Sequence, residues 1–105
     1  MAWFFLFIAG VFEIGWAIGM KYTQGFTKLV PSVITLVSMA LSVYLLSLAT
    51  KEIPIGTAYA VWTGIGIAGT SILGVILFDE TVEVLKVVFI SMILIAIVGL
   101  KITSN

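Results

Sequence analysis

The chain has 105 residues, 62% of them hydrophobic, and its five lysines balance five acids at a net charge of +0. A domain this small cannot hide so much apolar surface from water, because its surface is too large for its volume; its solvent is the lipid bilayer. The neutral charge gives nucleic acid nothing to bind, and the absence of Cys and His excludes disulfides, thiolate metal sites and histidine proton relays.

Four apolar runs follow one another at 2–20, 30–49, 55–78 and 84–100. Each is near the ~20 residues that cross a bilayer core as helix. They predict an all-α integral membrane protein, a single four-helix transmembrane domain over 1–105. The first run lacks a basic start and carries Glu13, so it reads as a true span rather than a cleaved signal peptide. The first break, KYTQGFTKLVP, holds Lys21, Lys28 and Pro31. Pro31 suits the first turn of the second helix, where its missing N–H costs nothing. The second break, TKEIPIG, is a charged pair followed by Pro54 and Gly56, and the third, DETVE, carries three acids. Connections this short make up-and-down hairpins.

Lysines in loops decide which end of a membrane protein faces the cytoplasm. Here Lys21, Lys28 and Lys86 fall on one side, and Lys51, Lys101 and the terminal amine on the other. The sides nearly balance. Either the small bias picks one orientation, or the chain inserts in both.

The stretch GVFEIGWAIGMK, 10–21, sets Glu13 inside the first span. An ionised acid at the centre of a bilayer helix costs about 2.5–3.5 kcal/mol on insertion scales. Such a group takes up a proton and yields it to a competing cation. The alternative is a protonated Glu acting as interhelical glue. The remaining acids, Glu52, Asp79, Glu80 and Glu83, fall in the breaks, and the lysines lie at helix ends or in loops. Any proton movement or cation binding within the membrane therefore falls to Glu13.

On the same helix face as Glu13 lie Ala9, Gly10, Trp16, Ala17 and Met20. Small residues there admit another backbone. The second helix carries a stripe of Thr35, Ser38 and Ser42; the third carries Tyr59, Trp62, Thr63, Gly66 and Thr70. Hydroxyls can instead bond back to their own helix, and Trp and Tyr can mark the interface belt. That role suits Trp3 but not Trp62, which lies well inside its span. Acid, hydroxyls and aromatic faces on three helices describe a cation site. In GTAYAVWTGIG, 56–66, Gly64 and Gly66 allow the third helix to bend, or else allow close helix packing.

Over essentially its whole length the chain resembles the small multidrug resistance family. The matching features are GVFEIGWAIGMKY, GFTKLVPS, IPIGTAYAVWTGIG and the GLK ending. Trp16 after Glu13, and WTGIG rather than WSGVG, are similar to the guanidinium-exporting branch rather than the quaternary-ammonium drug exporters. The resemblance implies an antiparallel, dual-topology homodimer of four-helix protomers in a bacterial inner membrane. It implies proton-coupled export by alternating access, with neither enzyme chemistry nor cofactor. Glu13 takes the role of binding substrate or protons in turn, and Trp16, Ser42, Tyr59 and Trp62 match the residues lining the site. Two copies in opposite orientations form an inverted repeat, the arrangement alternating access uses within larger transporters.

Two positions depart from the family pattern. Gly15 stands where a bulkier apolar residue is expected, which loosens packing or widens the pocket. The fourth helix offers Ser91, Ala96 and Gly99 as its small-residue stripe, with Phe89 at a position that is Gly in the drug exporters. Outside proton-coupled guanidinium export stand three readings: a quaternary ammonium exporter, a passive cation channel, and a membrane assembly subunit without transport. The balanced lysines predict insertion in both orientations. A cysteine placed near residue 101 of this Cys-free chain should be labelled from both faces of intact cells, and two added lysines on one side should restrict labelling to one face. One-sided labelling of the unmodified chain would exclude dual topology.

Overall fold

The computed structural model describes residues 1–104. Its elements are α1 (Ala2–Thr23), α2 (Leu29–Ala49), α3 (Ile55–Phe78) and α4 (Val84–Ser104), all four long and apolar enough to cross a membrane. Helix is the form the bilayer dictates, since each backbone N–H and C=O must be satisfied within its own segment.

The helix ends follow from local chemistry. α1 continues past Met20 because Thr23 gathers the connection around itself. The Thr23 hydroxyl donates to the Met20 carbonyl at 2.7 Å and accepts from the Phe26 amide at 3.2 Å. Its carbonyl accepts from the amides of Thr27 and Lys28. Between them Gln24, Gly25 and Phe26 all have positive φ, which reverses the chain in a few residues. Pro31 occupies the first turn of α2, and Pro54 is the N-cap of α3, its carbonyl accepting from Ala58. Asp79 ends α3 in the left-handed region.

The helices stand as a palisade in the order α2, α1, α3, α4. α1 packs along both α2 and α3, while α4 packs along α3 alone. The molecule measures 42 × 34 × 16 Å, and its least dimension is little more than one helix with its side chains, about 10–12 Å. The buried cluster lies toward the end that carries the termini. It includes Leu6 and Ala9 of α1, Ala49 of α2, and Ala58, Val61 and Trp62 of α3. α4 touches α3 where Gly64 would collide with Ile97 and Ile93 if it bore a side chain. From that contact the two helices diverge toward their own connection, leaving a cleft of about 830 Å3. The expected stripe of Ser91, Ala96 and Gly99 is exposed, with nothing near a Cβ at Gly99; the side of α4 that meets α3 is the isoleucine side.

At the other end, Lys21 of α1 lies 3.6 Å from the Glu80 carboxylate and 4.8 Å from the centre of the Phe78 ring, while Tyr22 tilts against Phe78. Both charged groups are at least half exposed, and such pairs contribute ~0–1 kcal/mol. Glu80→Gln should therefore change stability by less than about 1 kcal/mol. Gly64→Leu, which drives a side chain into Ile97, should cost about 1–3 kcal/mol or more. Thermal unfolding in detergent checks both. The reverse ranking would mean that the ion pair, not the glycine contact, holds the far helices in place.

Candidate functional site

Glu13 lies where α1 meets α2 and α3. Its carboxyl group rests on the backbone of α3 at Gly66: a Cβ on that residue would stand 2.5 Å from the carboxyl carbon. Any other residue at 66 would have to displace the acid. The Oε2 atom is buried and has no hydrogen-bond partner. Among the described residues the one ion pair is Lys21–Glu80, so no lysine of this chain balances Glu13. Its charge must be met by a proton or by a cation from outside the chain.

Toward the termini, Ser42 ties three helices together. Fully buried on α2, it donates to the Ala9 carbonyl of α1 at 2.7 Å and accepts from Trp62 Nε1 of α3 at 2.8 Å. Ala9 is the helical acceptor for the Glu13 amide, so this junction anchors the backbone that carries the acid. The Tyr59 ring stands 5.5 Å from that of Trp62, and Tyr59 is itself 57% exposed. The indole N–H is thus committed to Ser42, and the exposed aromatic surface is Tyr59.

Other polar groups here are unpaired. Trp16 Nε1, Thr35 Oγ1, Thr63 Oγ1 and Thr70 Oγ1 are buried without a partner. Hydroxyls elsewhere bond back to their own helix, Ser91 to Val87 and Thr103 to Gly99. Thr63 and Thr70 share the Gly66 face of α3 by helical spacing and keep their donors free. Buried polar groups are ordinarily hydrogen-bonded, so these donors are free to bond to a group from outside the chain. No group of acids among the described residues is arranged to hold a metal.

The remaining sequence candidates fall nearby with different contacts. Gly10 receives Ile65 of α3; Ser38 is half-buried, its hydroxyl 4.0 Å from where a Cβ on Gly15 would stand. Gly15 therefore opens toward α2. Gly64 points to α4, and α3 is one unbroken helix through Gly64 and Gly66. Sequence reasoning missed the paired contacts of Gly19 with Thr35 and of Gly69 with Ile14. The signal was present in GWAIG, 15–19, where two glycines four residues apart mark a close helix approach.

These residues form one wall, open on a face of a palisade a single helix layer thick. A sequence model described as Small Multidrug Resistance protein matches residues 1–95. The chain belongs to the small multidrug resistance family. As a member it is a multi-pass protein of the bacterial inner membrane. Among the proteins it is similar to, one from Yersinia pseudotuberculosis serotype I (strain IP32953), named Guanidinium exporter, is 55% identical over 104 residues, covering 99% of this chain and 100% of its own. A Proteus vulgaris protein of the same name is 51% identical with the same coverage. Another from Escherichia coli (strain K12) is 47% identical over 105 residues, the full length of both.

The seat on Gly66 is testable. Gly66→Ala keeps a good helix former but forces the carboxyl out. Glu13 should then react several-fold faster with dicyclohexylcarbodiimide in membranes, while circular dichroism stays unchanged. An unchanged rate would mean that Gly66 does not hold the acid. Ser42→Ala, which leaves the Trp62 donor unpaired, should cost about 1–3 kcal/mol in thermal unfolding.

Proposed function

We propose that this protein exports guanidinium and small guanidinyl cations in exchange for protons, working as an antiparallel homodimer in which Glu13 binds proton and substrate in turn. One observation carries the reading: a carboxylate at mid-membrane has no cation of its own chain and stands among unpaired donors. The names of the relatives supply the substrate.

Guanidinium fits this chemistry. It is planar, always charged, and presents parallel N–H groups to a carboxylate. Trp16, Ser42, Tyr59, Trp62, Gly10, Ser38 and Thr63 line the site in this reading. Ser42 fixes the plane of Trp62, and the aromatic faces attract the cation. A second copy, inverted, supplies the opposite wall and a second Glu13. Their titrations then belong to the pair rather than to either residue. α3 bends at Gly64 and Gly66, where it carries no side chain, to turn the site from one membrane face to the other.

Two protons entering for one cation leaving moves one positive charge inward. A negative interior assists that by about 2.3 kcal/mol per 100 mV, and a unit of pH gradient adds about 1.4 kcal/mol per proton. Proteoliposome currents test the reading. Guanidinium and singly substituted guanidines should drive larger currents than tetra-alkylated ammonium ions, which have no N–H to donate. Acidifying the substrate side should weaken apparent substrate affinity, because protons compete for the same carboxylates. Glu13→Gln should fold yet show no coupled current. Coupled exchange by Glu13→Gln would refute the mechanism, transport of bulky aromatic cations without guanidinium would place the chain among drug exporters, and no flux at all would make it an assembly subunit.

A further inference from the structure

Both α1 and α4 pack on α3 and leave a groove between them on the face away from Glu13. Its volume is about 320 Å3. Half-buried Ile65 of α3 forms its floor, above the buried Val61 and Leu6, with exposed Phe7 of α1 and Val98 of α4 as walls. Trp3 and Lys101 stand at its mouth, near the membrane surface, with the Lys101 ammonium 5.3 Å from the centre of the Trp3 ring. Lys101 is the one charged residue in the lining, and among the described residues no carboxylate pairs with it.

We infer that this groove is a binding site for an anionic phospholipid, its acyl chain lying over Ile65 between Phe7 and Val98 and its phosphate meeting Lys101. The floor and walls are hydrocarbon and open to the bilayer, so a lipid chain occupies them without displacing anything polar. The choice of head group rests with the lysine. Basic side chains between helices at the membrane surface select anionic head groups. Trp3 holds the lysine over its ring by cation–π attraction, which keeps the ammonium above the groove rather than swung into bulk water. This site is separate from Glu13 and stands whether or not the transport reading does.

The test is native mass spectrometry of the full-length, delipidated protein in detergent, titrated with phosphatidylglycerol or phosphatidylcholine of the same acyl chains. Phosphatidylglycerol should bind about fivefold more tightly, the equivalent of ~1 kcal/mol. Lys101→Gln should bring the two lipids to parity, and Lys101→Arg should restore the preference. Val98→Trp, which fills the groove and keeps the charge, should weaken both lipids. Lys51→Gln removes a charge on the same membrane side outside the groove and should change nothing. Equal binding by the unmodified protein would overturn the inference. So would a preference that survives Lys101→Gln, or one lost equally in Lys51→Gln. Lipid binding indifferent to Val98→Trp would show that the groove is covered by something else, such as a second copy of the chain.

Discussion

A carboxyl group pressed against a glycine backbone, with no cation of its own chain to balance it, is the constraint on which the rest of this structure depends. The contact requires α3 to come within van der Waals distance of α1 at Gly66, and it does so because Gly10 and Gly69 remove side chains on the same seam. Between apolar helices in lipid there is no hydrophobic drive to associate. Close packing of small residues and interhelical hydrogen bonds take its place. The α1–α3 seam is therefore built from glycines that accept Ile65, Glu13 and Ile14. On the other side of α1, Gly19 accepts Thr35.

Ser42 does for hydrogen bonding what those glycines do for packing. By donating to α1 and accepting from α3 it joins three helices through one hydroxyl. It also uses up the polar atom of Trp62. The contrast with Thr63, Thr70 and Trp16 is informative, because their donors are buried and unused. Satisfied groups frame the acid toward the termini, and unsatisfied ones surround it elsewhere. Buried donors are ordinarily hydrogen-bonded, so these unpaired ones set the surroundings of Glu13 apart from the Ser42 junction.

The flatness of the protomer has a simple cause. Each connection is short, so neighbours in sequence form hairpins, but α1 takes the central place and contacts both α2 and α3. α4 packs along α3 and reaches α1 only through Lys101 over Trp3; none of its residues 84–103 is fully buried, though Ile97 and Leu100 pack in part against the core. A layer 16 Å thick exposes both of its faces. One carries the unpaired acid and Tyr59; the other carries the groove below Lys101. The two membrane ends are finished alike, each with a lysine laid over an aromatic ring of another helix, Lys21 over Phe78 and Lys101 over Trp3.

The sequence by itself determined the lipid solvent, the four spans and Glu13 as the acid to watch, because these depend on composition and on distance along the chain. The residues around the acid were legible as stripes at helical spacing, and the fitting motifs GVFEIGWAIGMKY and IPIGTAYAVWTGIG pointed to the family. The tertiary structure alone decided which stripe meets which. Ser38 and Ser42 look equivalent in sequence, yet one faces Gly15 and the other bridges three helices. Gly64 and Gly66 are two residues apart in sequence, yet one points to α4 and the other to Glu13. Helical spacing places residues on a common face, but the rotation of each helix against its neighbours sets the partner of that face. That rotation is chosen by close packing across the seams, which one-dimensional periodicity does not contain.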